Sequence, residues 1–212
     1  MNFDKKNKVG SSKDSAFSRI EKIHPFEMML YLALTGIAVL FLMPVVAFLQ
    51  TRSYDTSFAQ LKLPRYFSLS TIIILLSSYT LSKAPRNYKK DNLNNLKKSL
   101  LYTMLLGLGF VVVQVISWYE ISLSGISFSG LAAGTYIYLI SALHAVHLLA
   151  GFLFLSFLYF KTQHAALDPI RVLLYIRNPY VRRQIKLLHA YWHFMDALWV
   201  VLFLVFVFSL KG

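Results

Sequence analysis

Four of the six histidines fall in two pairs at helical spacing. His144 and His147 stand three residues apart with Gly151 one turn on, and His189 and His193 stand four apart with Asp196 at the next turn. On a helix of about 3.6 residues per turn each set shares one face. Two chemistries are open to such sets, ligation and hydrogen bonding. Facing histidine pairs at matched depth can hold haem b, and Glu-x-x-His repeats can hold two irons. Here no Glu-x-x-His is repeated, the i,i+3 pair would compete for one iron, and no second pair lies at matched depth. The residues favour the other chemistry, a structural network of His144, His147, His189 and His193 around the Asp196 carboxylate, with no metal and no catalytic group. Gln114 and Glu120 form a separate polar site towards the other end. The absence of cysteine excludes covalently attached haem c, iron–sulfur clusters, a dinuclear thiolate copper centre and disulfides.

The elements that must position these residues are long and apolar. The chain has 212 residues, 57% of them hydrophobic, and a mean hydropathy of +0.54. Apolar stretches run over about 27–49, 66–83, 99–119, 132–160 and 187–210, each near or above the ~18–20 residues that cross a bilayer as a helix. They are continuous rather than alternating, which excludes a β-barrel. The expectation is an all-α polytopic membrane protein, a bundle of five transmembrane helices forming one domain over 25–212. Residues 1–24 are polar and lack an apolar signal core, so they read as a disordered basic tail.

Charge sets the orientation. Six Lys and Arg lie in the tail, six between the second and third spans and six between the fourth and fifth, eighteen in all, against four elsewhere. The amino terminus is therefore expected to be cytoplasmic and the carboxyl terminus external. Topology accounts for most of the formal charge of +13, and a nucleic-acid partner is not expected. At a rise of ~1.5 Å per residue, His147 lies about 20 Å from Phe160 and Asp196 about 15 Å from Lys186, so the two stripes can meet if spans four and five are neighbours. Ser70, Thr71, Ser77 and Ser78 read as close-packing positions between helices.

Three stretches carry a resemblance. They are Gly109-Phe110 through Gln114 to Trp118 and Glu120, Ala142-Leu143-His144-Ala145-Val146-His147 to Gly151, and Tyr191-Trp192-His193-Phe194-Met195-Asp196-Ala197-Leu198-Trp199. In this order and at this spacing the chain resembles subunit III of the haem–copper respiratory oxidases, in its five-helix bacterial form. Leu63-Pro64, Ser70-Thr71 and Ser77-Ser78 are similar to an earlier helix of the same family. One departure is that the buried Glu usual in the first of these helices is missing, with Thr35 nearest its place.

The resemblance implies an accessory subunit without a redox centre, in the bacterial cytoplasmic membrane. It would pack on the haem- and copper-bearing subunit I beside subunit II, bind phospholipid and support proton uptake and durability in turnover. Trp118, Tyr191, Trp192, Trp199, Arg182 and Arg183 are then the expected lipid contacts. The Tyr191-Trp192-His193 opening leans towards cytochrome c as electron donor. The alternatives are a quinol-oxidase or nitric-oxide-reductase relative, or an independent haem b or di-iron oxidoreductase. A transporter would need an inverted repeat and helices broken at the midplane, and Pro44 is the only proline well inside a span.

Overall fold

The computed structural model describes residues 25–52, 65–123 and 132–211. The expected tail at 1–24 lies outside the described residues, as do residues 53–64 and 124–131. Helices α1 (Pro25–Arg52), α2 (Arg65–Ser82), α3 (Ala84–Lys89), α4 (Leu93–Leu123), α5 (Ala132–Ala165), α6 (Pro169–Arg177) and α7 (Pro179–Lys211) follow in order, and among the described residues there is no strand. Five units, with α2 and α3 taken together as Arg65–Lys89, are long and apolar enough to cross a membrane.

Short polar signals stop and restart the helices at the basic end. Pro85 has no N–H to donate and follows the break at Lys83, whose own N–H bonds Thr80 O at 3.3 Å. Asp91 takes a positive φ of 56°, a conformation that aspartate tolerates better than most residues, and the chain reverses there. Asn92 then caps α4 by accepting from Asn95 N at 3.0 Å. One device starts both later helices: Asp168 and Asn178 each precede a proline and accept from the N–H two residues on, at 3.0 and 2.9 Å.

Helix α7 is the centre of the packing, in contact with α1, α2, α3, α5 and α6. Its Trp192 and Trp199 are seven residues apart and fully buried. Their indole N–H groups donate to Ser77 Oγ and Thr71 Oγ1 of α2, both at 3.1 Å, which sets α2 and α7 antiparallel. Thr80 and Thr103 join α2 to α4 at 2.8 Å. By contrast α1 packs on α5 and α7 through a narrow seam, Leu34, Phe41 and Phe48, again seven apart. Much of the rest of its surface is exposed and apolar, as at Leu32 and Met43. Such a face would drive association in water but is at home among lipid tails.

Two glycines make room for the aromatic pair at the middle of α7. A Cβ on Gly107 would stand 3.2 Å from the Trp192 ring, and one on Gly151 only 2.6 Å from the Tyr191 ring. Helix α5 therefore packs on α7 without a side chain at Gly151, and Gly107 of α4 leaves room for the Trp192 ring.

Candidate functional site

The polar side chains of the α7 stripe turn towards α2. His189 and His193 hydrogen-bond each other through their Nε2 atoms at 3.0 Å, and His193 Nδ1 lies 2.5 Å from Ser78 Oγ. Asp196 is buried, 3% exposed, and neither carboxylate oxygen has a hydrogen-bond partner. Asp196 follows His193 by one turn on the same face of α7, the face on which His193 meets Ser78.

The stripe on α5 divides. His144 is wholly buried in an aromatic cage, with Trp199, Phe110 and Phe41 at centroid distances of 4.9, 5.8 and 6.3 Å, and neither ring nitrogen is hydrogen-bonded. His147, half-buried, bonds the Leu143 carbonyl of its own helix at 2.8 Å and packs against Phe41. The two stripes do meet, through Tyr191 Oη, which donates to the His147 backbone carbonyl at 2.7 Å. The expected single network around Asp196 is thus corrected. A step of three residues turns His147 about 60° away from His144, towards α1, and the Trp199 ring fills the space beside His144. Among the described residues no three His, Asp or Glu side chains gather as a metal site requires.

The residue of α1 that faces the α5 histidines is Phe41. Thr35, taken from the sequence as nearest the missing Glu, is exposed and bonds its own Tyr31 carbonyl at 2.9 Å. Trp192 and Trp199 also depart from expectation. Their rings are buried against α2, α4 and α5, so within this chain they are not lipid contacts. Trp118 is half-buried and spends its N–H on Ser141 Oγ at 2.9 Å, while Tyr138 Oη donates to the Trp118 carbonyl. Gln114 is buried with neither amide atom hydrogen-bonded, and Glu120, half-buried, lies nearer the end of α4. Helical spacing sets these two on different faces of α4 rather than in one site.

The basic end joins Arg182 and Arg183, expected from the sequence as lipid contacts, to residues not singled out there. Tyr88 Oη of α3 faces three carbonyls, those of Tyr175, Ile176 and Asn178, at 2.8 to 3.1 Å, where α6 ends. Tyr175 is buried and shares a 2.6 Å hydrogen bond with Thr162. Burial pushes the Tyr175 phenol up to about 12, against the opposing pull of the Thr162 bond. Lys186 is paired with Glu27 at 2.9 Å, tying α7 to α1. Beside this pair opens a cavity of about 510 Å³ lined by Lys89, Arg182, Arg183, Lys186 and Glu27, with Tyr88 at its wall. Its lining thus carries four cations and one carboxylate, the carboxylate paired with Lys186.

Comparison with known proteins places this architecture. A family model described as cytochrome c oxidase subunit III matches residues 56–210, which leaves α1 outside the match. The chain is 27% identical over 138 residues to a probable cytochrome c oxidase subunit 3 of Mycobacterium leprae, covering 65% of this chain and 63% of that protein. It is 30% identical over 139 residues to the cytochrome bo(3) ubiquinol oxidase subunit 3 of Buchnera aphidicola, covering 65% and 68%. The cytochrome c oxidase subunit 3 of Loxodonta africana is 29% identical over 136 residues, covering 64% of this chain and 47% of its own length. With the five apolar helices and this extent of match, the chain is a multi-pass membrane protein and belongs to the cytochrome c oxidase subunit III family.

Proposed function

We propose that this chain is the accessory, cofactor-free subunit III of a bacterial haem–copper terminal oxidase, which reduces oxygen to water and pumps protons. The observation that carries the reading is the family match over residues 56–210, four of the five spans. The disposition of polar groups supports it. The α7 tryptophans, Tyr191 and Trp118 spend their hydrogen bonds on joining helices, and the Thr80 and Thr103 hydroxyls meet between α2 and α4. In lipid this is how a bundle holds its shape, because an unpaired polar group there costs several kcal/mol. In this reading the chain packs on subunit I, with subunit II in the same complex, and haem and copper reside in those partners.

The basic end lies in the cytoplasm by the charge count. The cavity between Lys89, Arg182, Arg183 and Lys186 takes the phosphate of a lipid headgroup, and the surrounding cations raise the local potential at the side from which protons are taken up. The electron donor is cytochrome c. A quinol donor is the second reading, favoured by the likeness to a subunit named for a ubiquinol oxidase. Purification through a tag on this chain from its native membranes tests the assignment. Co-purification of haem-bearing and copper-bearing subunits is expected, and a complex lacking both would refute it.

A further inference from the structure

The hydrogen bonds at the start of α7 can be given a direction. A neutral imidazole carries one hydrogen, so of the two Nε2 atoms of His189 and His193 one donates and the other accepts. When His189 is the donor, the hydrogen of His193 sits on Nδ1 and points at Ser78 Oγ. Ser70, Thr71, Ser77 and Thr80 of α2 each donate to a carbonyl three or four residues back, whereas Ser78 turns instead to α7. The Ser78 hydrogen is then left over. One turn after His193 on the same face of α7 stands Asp196, buried and with both oxygens unpartnered by hydrogen bonds.

From this geometry we propose that His189, His193 and Ser78 form a proton relay ending at Asp196, whose carboxyl is a buried, exchangeable proton store fed from the basic end of the bundle. A proton arrives at Nδ1 of His189, which is half-buried and the member of the chain nearest the start of α7. The His189 Nε2 proton crosses to His193 Nε2, the His193 Nδ1 proton crosses to Ser78 Oγ, and the Ser78 hydroxyl proton passes to the Asp196 carboxylate. One proton has entered and one neutral acid has formed, both imidazoles are again neutral, the hydroxyl is restored, and no electron has moved. Discharge is the same sequence reversed.

Five charged or titratable groups around the packed elements are engaged elsewhere. Glu27 of α1 is held by Lys186, Lys83 between α2 and α3 sits over Tyr79 of α2, Tyr88 of α3 faces the α6 carbonyls, Arg171 of α6 is bonded to His164, and His144 of α5 lies against Trp199. Beyond Asp196 the next polar atom on the stripe, Trp199 Nε1, is already committed to Thr71. The path therefore ends at the carboxyl and stores a proton rather than conducting it across. The proposal stands on this chain's geometry alone and does not depend on the oxidase reading.

Infrared spectroscopy of the full chain in lipid nanodiscs tests it. The carbonyl stretch of a protonated buried carboxyl, identified by its loss in Asp196→Asn, should shift promptly on transfer to deuterium oxide. In Ser78→Ala and His193→Phe that shift should slow by about tenfold or more, and Ser78→Thr, which keeps the hydroxyl, should retain the original rate. Exchange at the unaltered rate in Ser78→Ala would overturn the relay, as would the absence at every pH of a band lost in Asp196→Asn. Ser78→Ala decides the matter alone should His193→Phe not assemble.

Discussion

Gly151 and Gly109 differ in what a methyl group would meet, 2.6 Å from the Tyr191 ring in one case and no closer than 3.9 Å to Ile73 in the other. The Tyr191 ring cannot simply swing aside, because its hydroxyl is tied to the His147 carbonyl. Gly151→Ala should therefore destabilise the bundle by ~1–3 kcal/mol. Gly109→Ala should be neutral or gain up to ~1 kcal/mol from helix propensity. Unfolding of the two variants from mixed micelles checks the contrast, and equal losses would show that the close approach is not real. Thr71→Val and Ser77→Ala each remove one acceptor from a buried indole. The expected cost is ~0.6 kcal/mol apiece, not above ~1.7, and additive because the two bonds share no partner. A double-mutant measurement departing from the sum would contradict this. At this scale the sequence was legible as faces: His144, His189, His193 and Asp196 do point inwards. Their partners were not legible, because a helical pattern tells which face is buried and not which neighbour lies against it. Hence Phe41, Phe110 and Ser78 emerged only with the packing, and Asp196 was assigned donors that turn elsewhere.

Among elements, the five apolar runs correspond to the five membrane-length helices, since continuous hydropathy over such lengths has few other outcomes. The basic connection at 161–186 read as a loop, yet it holds the end of α5, the whole of α6 and the start of α7. Its signals were present in Asp168-Pro169 and Asn178-Pro179, a cap followed by proline, but a nine-residue helix carries too short an apolar pattern to stand out. Helix α6 is held by Tyr175 in its groove and by Tyr88 at its last carbonyls. Tyr88→Phe should cost ~1 kcal/mol locally and speed amide exchange across α6 about fivefold, with α4 unchanged. Exchange followed by mass spectrometry checks it, and unchanged α6 rates would deny Tyr88 its part. Helix α1 differs from the rest. It lies outside the family match and buries three seven-spaced side chains against the bundle, and the Phe41 at the middle of that seam packs against the α5 histidines.

For the molecule as a whole, the charge asymmetry predicts that cysteines placed singly at Ser11 and Ser127, both outside the described residues, label from opposite faces of the membrane. Labelling of both from one side would reverse or break the five-span topology. The proposed cofactor-free, accessory role makes a sharper demand on the assembled oxidase. If electrons do not cross this chain, as proposed, they should reach oxygen without it, whereas under the same proposal the loss of the cations at Lys89, Arg182, Arg183 and Lys186 should impair proton uptake with use. The most direct measurement is a turnover time course of the oxidase with and without this subunit, at matched haem content. The account predicts nearly equal initial rates of oxygen reduction followed by progressive loss of activity in the depleted enzyme, steeper at high pH where protons are scarce. Immediate and complete loss of oxygen reduction with haem retained would contradict it and make the subunit part of the catalytic path.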